Sequence, residues 1–154
     1  MSVSPTPAHS EQVGTGSGAA AEPRAARLKF TGFTFQRHPS GQGVAEVILE
    51  WHDGSRFVGR AEGISSSWGD LRLASDATLR AIAQFTRHPE HFELVGAKSL
   101  RAFDANVVMV NVIGRRDGKP QQLLGCRIAE GDMLRSAVLA TLQATNRILD
   151  AVLL

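Results

Sequence analysis

The sequence predicts an α+β fold made of two βββα pseudo-repeats, in which antiparallel sheets pack against helices. Strand-like and helix-like segments follow one another in the order strand, strand, strand, helix, and this order occurs twice. An Asp-Gly step separates the second and third strands of both units, which is a strong hairpin signal. Short similar segments also recur in the same order along both halves. We therefore place repeat one at 28–89 and repeat two at 90–154.

The segment that precedes repeat one, residues 1–27, has a different composition. It consists almost entirely of Pro, Ser, Gly, Ala, Thr and polar residues. Such a segment buries too little apolar area to offset an ordering entropy of about 1–2 kcal/mol per residue. We expect a disordered tail, which could also serve as a docking peptide for a protein partner. It lacks the charged start and apolar core of a signal peptide.

Repeat one begins with three predicted strands. The aromatic-rich segment 28–35 is typical of a strand, with an irregularity expected near Gly32. The segments 44–51 and 56–63 flank Asp53-Gly54 and are predicted to form a hairpin.

A helix follows these strands. Asp70 is a good N-cap residue, and apolar residues from there to Phe85 fall at helical spacing. Pro89 marks the predicted end of this helix.

Repeat two shows the same order of elements. Its strands are predicted at 92–103, 106–113 and 122–128, and its helix at 133–154. Gly131 and Asp132 are predicted to cap that helix, and Asp117-Gly118 to form the hairpin turn. Cys126 falls in a strand that we expect to be buried, where a free cysteine behaves as a small hydrophobe.

The two repeats also match in their residues. Segments 57–59, 61–63 and 77–81 correspond to segments 123–125, 129–131 and 140–144. The offsets are about 63 to 68 residues, so the units differ mainly in loop length. We infer an internal duplication.

The second helix carries two apolar stripes. One of them contains Leu139, Leu142, Leu149 and Leu153. A helix that is apolar nearly all round is normally buried on more than one face. A small two-layer domain covers one side of a helix, so the second stripe predicts a homodimer that uses these four leucines. The alternative is that the C-terminal turns pack on the core of their own chain.

Composition excludes several classes of protein. The chain has 17 Lys and Arg residues against 15 Asp and Glu, which leaves a formal net charge of +2. No apolar run approaches the roughly 18–20 residues of a membrane-spanning helix. A single cysteine makes no disulfide framework, which favours a reducing, cytoplasmic location.

Several chemical functions lack their motifs. The closest histidines, His88 and His91, are separated by a proline, and no third or fourth zinc ligand accompanies them. The sequence contains no catalytic triad, P-loop or dinucleotide motif. We therefore expect no enzyme, no metal and no cofactor. Nucleic-acid binding is a weaker alternative, because the cations are spread among acids apart from the cluster Arg115, Arg116 and Lys119.

Residues 30–154 resemble the C-terminal regulatory domain of 2-isopropylmalate synthase and citramalate synthase. In the second half, the matching residues are Leu94, Arg101, Asp104, Val110, Asp117, Gly118, Gly125, Asp132, Ser136, Ala137 and Asn146. In the first half, they are Val47, Asp53, Gly54, Gly59, Gly63, Asp70 and Ala77. The resemblance implies a pair of βββα units that dimerises, binds a small end-product effector such as a branched-chain amino acid, and modulates a separate catalytic domain.

The loops before the two helices are the candidate ligand site. Free N–H groups and the dipole at a helix N-terminus attract carboxylates and phosphates. The candidate residues are Gly63, Ser65, Ser66, Ser67, Asp70, Gly131 and Asp132. The alternative is ordinary capping of the two helices by their own aspartates. A third possibility for the whole chain is a protein–protein assembly subunit that binds no ligand.

Overall fold

The computed structural model describes residues 27–88 and 91–152. Its elements are β1 (Lys29–Arg37), β2 (Gln42–Glu50), β3 (Arg56–Ile64), α1 (Ser67–Thr86), β4 (Phe92–Ala102), β5 (Ala105–Arg116), β6 (Lys119–Ala129) and α2 (Met133–Val152). Two antiparallel sheets have the orders β1-β2-β3 and β4-β5-β6. The predicted α+β fold of two βββα units is thereby confirmed. The predicted tail lies outside the described residues, apart from Arg27.

The first strands of the two repeats share one irregularity. The register of β1 against β2 shifts between Phe30 and Gly32, which confirms the irregularity expected there. The register of β4 against β5 shifts between Leu94 and Gly96. Each shift inserts one extra residue just before a glycine, where a bulge bends the strand.

Asp-Gly turns close both predicted hairpins. Asp117 and Gly118 have φ angles of 54° and 77° and join β5 directly to β6. Two positive φ angles define a type I′ turn, which matches the twist of the strands. Asp53 and Gly54 lie in a longer turn, in which the Trp51 N–H donates to the Ser55 carbonyl at 2.9 Å. A second type I′ turn at Phe103 and Asp104 joins β4 to β5.

The two helices start at equivalent positions, and one of the two predicted caps is wrong. Ser66, not Asp70, is the N-cap of α1, because its hydroxyl accepts a hydrogen bond from the Gly69 N–H at 3.0 Å. Asp132 caps α2 as predicted and accepts from the Arg135 N–H at 3.0 Å. Ser66 is the N-cap in repeat one because its short side chain places the hydroxyl within reach of a free helical N–H three residues later.

Each helix packs on the third strand of its own repeat at a glycine. A Cβ added to Gly59 would collide with the backbone of Ala77 and Ala81, and one added to Gly125 with the backbone of Ala140 and Ala144. The small alanine and glycine residues at these crossings let the strand and helix backbones approach more closely than larger side chains would allow.

One hydrophobic core joins the repeats. α1 packs on β2 and β3, α2 packs on β5 and β6, and the helices pack on each other. Buried residues of both sheets and both helices belong to one cluster. Thr78 and Thr141 are fully buried at equivalent helix positions, and each hydroxyl donates to the carbonyl four residues earlier, at 2.8 and 2.7 Å. Neither polar group is therefore left unsatisfied.

Each helix also reaches the first strand of the other repeat. The guanidinium of Arg72 on α1 donates to the Val95 carbonyl of β4 at 3.1 Å. The guanidinium of Arg135 on α2 lies over the Phe30 ring of β1, 4.6 Å from its centroid. These crossings connect the repeats on both sides. Within the described ranges, no helix has the length and hydropathy needed to span a bilayer.

Candidate functional site

The predicted serine-rich loop forms a network that is satisfied within the chain. Asp70 is 3% exposed and accepts hydrogen bonds from the Ser65 hydroxyl at 2.8 Å and the Ser66 N–H at 3.2 Å. The guanidinium of Arg37 on β1 pairs with its other oxygen at 2.6 Å. The carboxylate therefore ties the helix start to the first strand.

The other candidate ligand residues lie apart from this network. Gly63 lines a groove beside α1, whereas Ser67 is exposed on the first turn of that helix. Gly131 and Asp132 are exposed at the start of α2, where the Asp132 carbonyl also accepts from the Ser136 N–H. No groove found in the described residues is lined by both loops. Ligand binding by these residues stays a prediction, and capping is what their hydrogen bonds show.

Two of the four leucines predicted for a dimer interface are buried within their own chain. Leu142 and Leu149 are 7% and 3% exposed and belong to the core, while Leu139 is half-buried. Leu153 lies outside the described residues. Leu142 and Leu149 are therefore covered by their own chain, as in the alternative of packing on the core, and a dimer through this stripe stays a prediction.

A different apolar surface is exposed on the second sheet. The strand register places four rows of side chains on the face that α2 does not cover: Val107 with Leu100 and Ile128, Met109 with Lys98 and Cys126, Asn111 with Gly96 and Leu124, and Ile113 with Glu93 and Gln122. We call this surface the second-sheet face. Ile128 is 61% exposed and Leu124 46%. Cys126 is also exposed, so the prediction that it is buried is wrong.

The apolar surface continues beyond the second-sheet face. Phe103, at the tip of the β4–β5 hairpin, is 97% exposed. Trp68 of α1 and Val95 lie beside Met109 and Leu124 of the face, and these four residues line a hollow of about 320 Å³. Exposed apolar patches of this extent on a small protein mark interaction surfaces.

The equivalent face of the first sheet is charged. Arg60 and Glu62 form an ion pair at 3.1 Å, and Arg56 and Glu50 approach to 3.5 Å. Glu46 lies opposite Arg60 in the register. Under the repeat offsets, the Arg60 and Glu62 positions correspond to Cys126 and Ile128 in the second repeat, so two charged positions of the first sheet are apolar in the second.

Two grooves occupy repeat-related positions where each helix passes the other repeat. The first groove, about 610 Å³, lies between α1 and β4, with Asp76, Leu79, Arg80, Phe92 and Leu94 in its wall. The second groove, about 430 Å³, lies between α2 and β1, and its wall includes Leu139, Leu142, Gln143, Leu28 and Phe30. Taken in the order given, each residue of the second groove occupies the same position in its repeat as the corresponding residue of the first groove.

Polar groups outside these surfaces include candidate metal ligands and titrating groups. Among residues 27–88 and 91–152, no three His, Cys, Asp or Glu side chains converge as metal ligands would. The pKa of Asp53 is lowered, first by a hydrogen bond from the Ser55 hydroxyl and then by the Ser55 N–H, and this carboxylate lies on an exposed turn. That arrangement orders the turn and holds no general acid or base.

The sequence did contain the signal for the second-sheet face. In 106–113, the inward residues Val108, Val110 and Val112 are apolar, and so are all the outward residues of 107–113 except Asn111. A strand that is apolar on both faces is covered on both sides or meets a partner. Residues 44–51 instead place two glutamates, Glu46 and Glu50, among their outward positions, together with Val44 and Ile48.

The chain matches no protein-family model, and no curated protein matches it.

Proposed function

We propose that the protein is a non-catalytic regulatory and dimerisation module that pairs with a second copy of itself through the second-sheet face. The observation that supports this proposal is the contrast between the outer faces of the two sheets. The Arg60 and Glu62 pair keeps one face in water, while Cys126 and Ile128 leave the other face apolar at the same positions. The resemblance to the regulatory domain of 2-isopropylmalate synthase is consistent with this role.

The size of the second-sheet face suits a dimer. Its strands have 11, 12 and 11 residues. At about 3.3 Å per residue and about 4.8 Å between strands, such a face covers about 500 Å² per copy. Two copies packed face to face would bury about 1,000 Å², the lower bound for a specific interface. Phe103 at the hairpin tip and Trp68 beside the face add to this apolar area.

The test introduces the charged pair of the first sheet at the equivalent positions of the second sheet. We expect the native chain to sediment as a dimer at micromolar concentration. The double variant Cys126→Arg with Ile128→Glu recreates the Arg60 and Glu62 pair on the second-sheet face and should sediment as a monomer. Because these positions are exposed, its thermal unfolding as a monomer should stay cooperative.

A matched variant controls for the change in charge. Arg60→Glu with Glu62→Arg exchanges the two charges on the first sheet and should leave the dimer intact, because that face already lies in water. A monomeric native chain, or a dimer that survives the transplanted pair, would contradict the proposal. A monomeric chain that captures a different protein through Ile128 would favour an assembly subunit instead.

A second candidate function, the binding of a small effector such as an amino acid, is favoured by the first groove. Its wall combines charged side chains of both signs, including Arg72, Asp76 and Glu93, with apolar side chains, including Leu73 and Leu94. A zwitterion with an apolar side chain matches this mixture. A thermal-shift screen of amino acids tests it, because a ligand at one hundred times its Kd stabilises the fold by about 2.7 kcal/mol. No shift with any amino acid would count against it.

A further inference from the structure

The two repeat-related grooves differ in charge. In the first groove, Asp76 pairs with Arg80 at 3.2 Å, and two further acids, Glu62 and Glu93, line the wall. In the second groove, the positions of Asp76 and Arg80 are taken by Leu139 and Gln143. The pattern that suits a zwitterion in the first groove is therefore absent from the second.

The charged residues among the described lining of the second groove are cations. Arg127 on β6 and Arg147 on α2 are exposed at its rim and form no ion pair with a described residue. Arg27 lies at the same rim, and no described lining residue is acidic. Guanidinium groups offer paired N–H donors that fit a carboxylate in a bidentate manner. The rim therefore attracts an anion.

The floor of the second groove is apolar. Leu28 and Phe30 come from β1, and Leu139 and Leu142 come from α2. The Gln143 side-chain oxygen already accepts from the Cys126 N–H at 3.0 Å. The side-chain N–H groups of Gln143 are therefore what this residue offers to a ligand. A volume of about 430 Å³ falls within the roughly 300–1,000 Å³ of small-molecule sites.

We propose that the second groove binds an organic anion that has an apolar body and no ammonium group, such as a medium-chain carboxylate. The carboxylate lies between Arg127 and Arg147, and the hydrocarbon lies on Leu139 and Phe30. An amino acid is disfavoured, because its ammonium group would meet arginines and find no acidic partner among the described residues of the groove. This site is separate from the second-sheet face, since Arg127 points to the α2 side of β6.

The test is isothermal titration calorimetry of the full chain with decanoate below its micelle concentration. We expect one decanoate per chain, with affinity that falls as salt rises because exposed charges are screened. Decanol and decyltrimethylammonium have the same chain length and should bind at least about tenfold more weakly. No heat with decanoate, or equal affinity for decanol, would overturn the proposal.

Variants locate the bound anion. Leu139→Asp gives the second groove the acid that the first groove has at Asp76, and it should weaken decanoate binding by more than about tenfold. Arg127→Gln and Arg147→Gln change exposed residues without threatening the fold, and each should weaken binding by about threefold to tenfold. Arg116→Gln, on an exposed hairpin end, is the matched control and should have no effect. Unchanged binding in all three groove variants would place the ligand elsewhere and overturn the proposal.

Discussion

The two βββα units share their inner construction and differ on their outer surfaces. Both have a bulged first strand, a glycine where the third strand meets the helix, and a buried threonine on that helix. The outer face of the first sheet carries ion pairs, whereas the second-sheet face carries Met109 and Ile128. Packing against a helix constrains residues on both inner faces in the same way. The outer faces are not constrained in this way, which accounts for ion pairs on one and exposed apolar side chains on the other.

The largest expected effect tests the shared inner construction. We expect Gly59→Ala and Gly125→Ala each to lower the free energy of unfolding by about 3 kcal/mol or more, because the new methyl group meets helix backbone that cannot yield. Chemical denaturation followed by circular dichroism measures both losses. Similar values would show that the two crossings are energetically equivalent.

A third glycine provides the control for this comparison. Gly96 lies next to the bulge of β4, and the nearest atom to an added Cβ is the flexible end of Arg72, 4.0 Å away. Gly96→Ala should therefore change stability by less than about 1 kcal/mol. A loss at Gly96 as large as that at Gly125 would mean that general strand effects, and not the helix crossing, explain the results.

The two helix starts should differ in strength by a smaller amount. Asp70→Ala removes an acceptor for Ser65, Ser66 and Arg37 at a buried position, and should cost about 2–3 kcal/mol. Asp132→Ala removes one exposed capping bond and should cost about 1 kcal/mol. Thermal denaturation of both variants at neutral pH measures the difference, and equal losses would contradict the role assigned to the Asp70 network.

This asymmetry shows where sequence patterns suffice and where they fail. The element order, both Asp-Gly hairpins and the irregularity near Gly32 follow from local periodicity and turn chemistry, and the structure confirms them. The cap of α1 does not follow, because Ser66 and Asp70 are both good capping residues. The partner that Asp70 takes instead, Arg37, lies 33 residues away in the sequence and on another element, so local patterns do not reveal it.

The candidate surfaces were harder to predict for a related reason. The stripe of Leu142 and Leu149 indicates burial, but it does not say whether the covering surface belongs to the same chain. Here both repeats contribute to one core, so the chain covers the stripe itself. The second-sheet face requires the strand register, because only cross-strand pairing shows that Met109 and Cys126 share one surface.

The contacts between repeats should have a modest effect. Arg135→Ala removes the cation–π contact with Phe30 and should cost about 0.5–1 kcal/mol, since the guanidinium is exposed. A double-mutant cycle with Phe30→Leu isolates the coupling between the two side chains. Arg72→Ala, which removes the equivalent crossing in the other direction, is the natural comparison. A coupling energy near zero would show that Arg135 and Phe30 lie close together without stabilising the fold.

The smallest expected effect distinguishes the two Asp-Gly hairpins by pH. The Ser55 hydroxyl and N–H donate to the Asp53 carboxylate and lower its pKa in the folded chain, so any contribution to stability is present above the unfolded pKa of about 3.9. It declines as the pH falls through the lowered folded value, because the carboxylate becomes protonated. We expect Ser55→Ala to raise the pKa of Asp53 toward its ordinary value, as measured by NMR titration of the carboxyl carbon. An unchanged titration in Ser55→Ala would mean that the Ser55 hydroxyl, the largest assigned cause of the shift, does not stabilise the charged form.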